Sequence, residues 1–167
     1  MNIVIAPIAA AHAEGFRACL DAVAREGRYL AQVEAPPIEK VREFVAQSVA
    51  TDAVQFVALD AGTVVGWADV FPHWAHAVAH CGALGMGVLP DYRGQGVGRR
   101  LLAACIGKAQ AKGLTRIELE VRADNQRAIA LYERMGFALE GRERNAMRFD
   151  GVYFDALLMS RVAAPSA

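Results

Sequence analysis

Apolar residues cluster in short β-branched runs at seven places along the chain, and in four intervening stretches they recur every three to four residues. The first kind of spacing predicts strands and the second helices. Ile3 to Pro7 reads as a strand, followed by an Ala-rich helix ending at Arg25 with Phe16, Leu20 and Val23 on one stripe, and Gly27 stops it. Pro36 and Pro37 stand where a second helix can begin, with Val41, Phe44, Val45 and Val49 as its apolar face. Gln55 to Leu59 and Val64 to Val70 form a hairpin through Asp60, Ala61 and Gly62. Ala83 to Leu89 is a strand, Gly96 to Ala111 a helix ended by Gly113, and Arg116 to Val121 a strand. Asp124 or Asn125 caps a helix to Met135 that Gly136 stops, and strands near Phe137 to Glu143 and Tyr153 to Met159 close the pattern around a turn at Asp150 and Gly151.

The order βααβββαβαββ predicts an α/β (α+β) fold: a mixed, mostly antiparallel sheet with helices on both faces, the central strand, helix, strand unit supplying parallel neighbours. No repeat or linker divides it. Residues 1–162 read as a single domain and 163–167 as a frayed tail.

With 167 residues and 54% hydrophobic content, the chain can bury a core without metal or disulfide staples. Eighteen basic residues balance eighteen acidic ones, so no broad positive field collects nucleic acid, and none is expected as a partner. From Val70 to Pro90 no charged residue occurs, but Pro72, three histidines and three glycines break the run, and a membrane span is not expected. The start lacks a basic segment before its apolar residues, and Cys19, Cys81 and Cys105 form no CxxC pair; both point to a reducing cytoplasm. His73, His76 and His80 beside Cys81 have a helical ligand spacing, but Pro72 argues against that helix, and no metal is expected.

Chemistry concentrates in RGQGVGRRLL, Arg93 to Leu102, a glycine-rich turn between a strand and a helix. Outward amides at a helix N-terminus bind phosphate. Gly94, Gly96 and Gly98 let backbone approach an anion, and Arg93, Arg99 and Arg100 can add charge-assisted contacts. A P-loop is disfavoured because no lysine follows Gly98; a dinucleotide fold is a weak rival, since the spacing is GxGxG.

GMGVLPDYRGQGVGRRLL followed by ELEVRADNQRAIALYERMGF resembles the acetyl-CoA-binding core of the GNAT superfamily of N-acetyltransferases. The resemblance implies acetyl-CoA as co-substrate. It places the pyrophosphate on Arg93, Gly94, Gln95, Gly96, Val97, Gly98 and Arg99, and lays pantetheine along Met86, Gly87 and Val88 as an added strand. Asn125, Ala128 and Tyr132 lie on one helical stripe, the first for amide contacts, the second leaving room for a thin chain, the third a phenol for the departing thiolate. Many relatives carry a glutamate on the strand before the loop as general base, but Ala83 to Leu89 has no acid. Glu34, between the first two helices, is the acceptor-side catalytic candidate and Asp69 the other; Trp67, Trp74, Tyr29 and Phe154 can shape the acceptor pocket. Cys105 lies on an apolar stripe, which favours direct transfer. The expected partner is a small amine such as an amino acid, with a protein N-terminus or lysine, or a non-catalytic CoA sensor, as alternatives. The resemblance also implies a homodimer through the last strands.

Overall fold

The structure, a computed structural model, describes residues 1–164. The chain runs β1 (Ile3–Pro7), α1 (Ala13–Arg25), α2 (Ile38–Ala50), β2 (Val54–Asp60), β3 (Thr63–Pro72), β4 (Cys81–Val88), α3 (Val97–Ala111), β5 (Arg116–Arg122), α4 (Gln126–Arg134), β6 (Ala138–Phe149) and β7 (Val152–Val162). The seven strands form one sheet in the order β1-β2-β3-β4-β5-β7-β6. Every neighbouring pair is antiparallel except β4 and β5, which α3 connects as a crossover.

Each face of the sheet buries its own apolar cluster. On one side α1 contributes Phe16, Leu20 and Val23 and α2 contributes Val41 and Val45, packed on Val57, Val64 and Trp67. On the other, Val97, Leu101, Leu102, Cys105, Ile106 and Ala109 of α3 are all buried, joined by Ile129 and Tyr132 of α4. Burying each large side chain contributes roughly 1.5–3 kcal/mol, so Leu101→Ala in this packed stripe should cost about 2–5 kcal/mol.

Three expectations about the elements change. Phe44 and Val49 of α2 stand partly in solvent rather than in the core, and Phe44 stacks on Phe16 and tilts against Phe71. The last two strands are longer than their apolar segments because they form one hairpin, Phe149 opposite Val152 across Asp150 and Gly151. β6 is an edge strand, exposed along most of its length, so its Glu and Arg residues gave no alternating signal. The start of the tail is tied down, with the Ala163 amide donating to the Thr115 carbonyl; 165–167 of the expected frayed end lie outside the described residues.

Candidate active site

The parallel ladder between β4 and β5 lasts three residues, Cys81–Ala83 against Arg116–Glu118. Beyond it β4 stays with β3 as far as Val88 opposite Gly66, while β5 stays with β7 as far as Arg122 opposite Ala156. The sheet therefore splits. The β5-facing edge of β4 from Leu84 to Val88, with Met86 and Gly87 on it, has no strand partner, and an unpaired edge offers N–H and C=O groups to an extended ligand.

Past that edge the chain enters α3 through Gly94 and Gly96, at φ +74° and +82°. These left-handed conformations suit glycine and turn successive amides outward. The Arg93 amide donates to the Pro90 carbonyl and the Arg100 amide to that of Gly96. Between them, the amides of Gly94, Gln95, Gly96, Val97, Gly98 and Arg99 have no protein acceptor among the described residues. Six free donors at the positive end of a 15-residue helix are suited to hold an anion. Arg99 and Arg100 beside it are exposed and form no ion pair among the described residues.

Two loop residues act differently from expectation. Arg93 turns its guanidinium inward: Nε donates to the Val88 carbonyl at 2.8 Å, a terminal nitrogen to Glu26 at 2.9 Å, and the group lies 4.8 Å from the Tyr29 ring centre. Its charge clamps the end of α1 to the end of β4. Gly98 lacks a side chain for packing, since a Cβ there would stand 3.2 Å from Leu131 and 3.3 Å from the Met86 methyl. That contact brings α4, the free edge of β4 and the start of α3 to one place.

On α4, Asn125 is the N-cap, its Oδ1 accepting from the Ala128 amide at 3.2 Å. Tyr132 is 8% exposed, its ring 5.8 Å from that of Phe137. Burial pushes the phenol up to about 12, so it holds its proton at neutral pH.

The face of the sheet under α1 and α2 carries a cavity of about 390 Å³. Phe16 and Leu20 of α1, Leu30, Gln32 and Pro36 of the following loop, Lys40, Val41 and Phe44 of α2, Trp67 and Asp69 of β3, and Gly85 and Met86 of β4 line it. Trp67 packs edge-on against Phe16 at 5.8 Å and lies over Gly87, where any Cβ would strike its ring. Asp69 is the one carboxylate in the lining. It stands opposite Gly85, whose amide donates to it, yet burial outweighs that bond and pushes its carboxyl up to about 7.

Glu34 does not join it. Its carboxylate is 70% exposed and faces Arg25 at 3.7 Å, although Gln32 and Pro36 on either side reach the cavity. Of the aromatic candidates only Trp67 lines the cavity: Trp74 is 96% exposed, Tyr29 stacks under Arg93, and Phe154 lies 3.8 Å from the Arg122 guanidinium. His73 pairs with Glu118 at 2.5 Å, and among the described residues there is no cluster of three or more His, Cys, Asp or Glu with metal-binding geometry. Cys19, Cys81 and Cys105 are free and buried.

The sequence profile of the acetyltransferase (GNAT) family matches residues 20–137, from within α1 past the end of α4, the glycine-rich loop included. The chain belongs to this family. Among curated relatives, the N-alpha-acetyltransferase RimI of Mycobacterium tuberculosis is 37% identical over 112 residues, 62% of this chain and 63% of that protein. The mycothiol acetyltransferase of Propionibacterium freudenreichii is 37% identical over 107 residues, 60% of this chain and 33% of that protein. The chain thus spans less than two thirds of the length of these relatives. Among solved structures, the yncA protein of Salmonella typhimurium, with its cofactor acetyl-CoA, superposes with a TM-score of 0.92 over 100% of this chain and 97% of that one, at 17% identity. In this GNAT chain the strand before the glycine-rich loop carries no acid, and the carboxyl opposite its Gly85 is Asp69 of the neighbouring strand β3.

Proposed function

We propose that the chain transfers the acetyl group of acetyl-CoA directly to a primary amine held in the cavity beneath α1 and α2. What supports this is one half-buried carboxyl, Asp69, and one buried phenol, Tyr132, standing on the two flanks of the split in the sheet. The six free amides from Gly94 to Arg99 fit a pyrophosphate, and the free edge at Met86, Gly87 and Val88 fits the amides of a pantetheine arm. Asn125, its oxygen spent on the cap, keeps an NH₂ for the arm, and Ala128 one turn on leaves space beside it. Acetyl-CoA supplies an activated thioester. Asp69 accepts, directly or through a water, the proton that the acceptor must shed before its nitrogen can form the new C–N bond. Tyr132 gives its proton to the sulfur as the C–S bond breaks, and the buried environment that raises its pKa keeps that proton available at neutral pH.

The half-open, largely apolar cavity supports a small amine with an apolar group, and Lys40 at its mouth, paired with Glu43 at 3.2 Å, can exchange that partner for the carboxylate of an acceptor such as an amino acid. Likeness to an N-alpha-acetyltransferase supports the second reading, a protein N-terminus. Free, buried thiols suit a reducing cytoplasm, and no helix among the described residues is long and apolar enough to cross a membrane. Exposed Leu139, Val152, Tyr153, Leu158 and Val162 on β6 and β7 support a second copy of the chain packing there, which sedimentation would test. The deciding experiment measures thiol release from acetyl-CoA against free amino acids, other small amines and peptides with free N-termini. Turnover with the small amines and none with peptides supports the first reading, the reverse the second, and CoA binding without turnover on any of them would point to a sensor.

A further inference from the structure

One buried polar side chain in this protein is left without a partner. Gln55 on β2 is 0% exposed, and neither its Oε1 nor its Nε2 meets a hydrogen-bonding group, the only such side-chain atoms among the described residues. Its main chain is satisfied, the carbonyl accepting from Ile8 and the amide donating to Ala53. An orphaned amide in a core is costly, and a leucine or methionine would fill the same volume without that cost.

The sheet register places this amide. Gln55 stands directly opposite Asp69, and Asp69 directly opposite Gly85, so the three form one row across β2, β3 and β4. Val54 and Phe56 on either side of Gln55, and Ala68 and Val70 on either side of Asp69, pack on the α3 face. Strand alternation therefore sends Gln55 and Asp69 together to the cavity face, with Cβ atoms of opposed residues about 5 Å apart. Gly85 already donates to the carboxyl from one side of the row, and the Gln55 amide is the corresponding group on the other.

We propose that Gln55 is a positioning residue whose amide, through one buried water, holds the Asp69 carboxyl aimed at the acceptor cavity. The inference rests on the reading of Asp69 as the base. The other groups around Asp69 do not substitute for this donor. Lys40 of α2 is ion-paired with Glu43 at the mouth, Cys105 of α3 is a thiol that burial keeps protonated, α1 supplies only Phe16 and Leu20, and β4 adds Met86. A donor to the carboxylate favours its charged form, so removing it raises the pH at which Asp69 ionises.

The test is a ¹³C-carboxyl NMR titration of Asp69 in the full, unliganded chain, with the resonance assigned by its loss in Asp69→Asn. In Gln55→Leu the midpoint should rise by about one unit, the scale of one hydrogen bond to a charged group, while the melting temperature holds or rises. In turnover the acidic limb of kcat/KM should move by the same amount, with kcat at high pH changed less than about threefold. An unchanged midpoint in folded Gln55→Leu, or in Gln55→Met should the first not fold, overturns the proposal. If Asp69→Asn leaves the acidic limb in place, the base assignment fails instead, and the NMR midpoint still decides whether Gln55 and Asp69 are coupled.

Discussion

The two sides of the split in the sheet are built from different materials. On the loop side the groups proposed to face the ligand are main chain: six amides from Gly94 to Arg99 and the free edge of β4. On the cavity side they are side chains brought from α1, α2, β3 and β4, with 70 residues separating Phe16 from Met86. A backbone site depends on local conformation and tolerates many side chains. A side-chain site depends on what the sheet register and two helices bring together, and it can change acceptor without changing the loop. One family can thus keep a common donor while its members differ in what they acetylate.

The sharpest way to break this division is at Tyr132, which belongs by position to the loop side but acts with a side chain. Tyr132→Phe keeps the ring against Phe137 and deletes the donor, so kcat should fall by roughly 10²–10⁴ with CoA affinity little changed, as stopped-flow and calorimetry would show. Lost CoA affinity with kcat intact would make it a packing residue.

Next in size is Asp69→Asn, for which kcat/KM should drop by about 10²-fold at pH 8 and lose the limb near pH 7. Stability should move oppositely. The folded chain keeps this proton to about pH 7 and the unfolded chain releases it near 3.8, so the stability it contributes is whole below pH 4 and is lost as pH rises through 7. The variant should melt above the parent at pH 8, the gap closing towards pH 4; equal melting at both pH values would mean that the carboxyl is not held protonated.

Two neighbouring glycines separate ligand contact from packing. A Cβ on Gly96 would meet no atom within 4 Å, but φ +82° strains any side chain there, so Gly96→Val should displace the loop amides and weaken CoA binding by about tenfold or more, with some loss of melting temperature. Gly98→Val, pressed on Leu131 and Met86, should lower the melting temperature by several degrees with the smaller loss of CoA affinity. If both changed only affinity, the side chain missing at Gly98 would leave room for the ligand rather than for Leu131 and Met86. The smallest effect is expected at Glu34: Glu34→Gln removes an exposed charge facing Arg25 and should change amine kinetics less than twofold.

The sequence by itself determined the parts written in local conformation. Its periodicities fix the order of the eleven elements, and the glycines at 94 and 96 announce a turn that exposes amides, because φ, ψ and helix polarity follow from neighbouring residues. The family resemblance then assigned that turn its cofactor. Asp69 was visible as a carboxyl in an otherwise apolar strand, WADVF, but nothing local distinguished it from Glu34. Only the tertiary structure separates them, by placing one opposite Gly85 in the cavity wall and leaving the other on the surface against Arg25. It also decided that Arg93 clamps Glu26 rather than standing free, and that Gln55 shares a row with Asp69. Burial and partnership depend on residues distant in the chain, and these set a side chain's charge, reach and role.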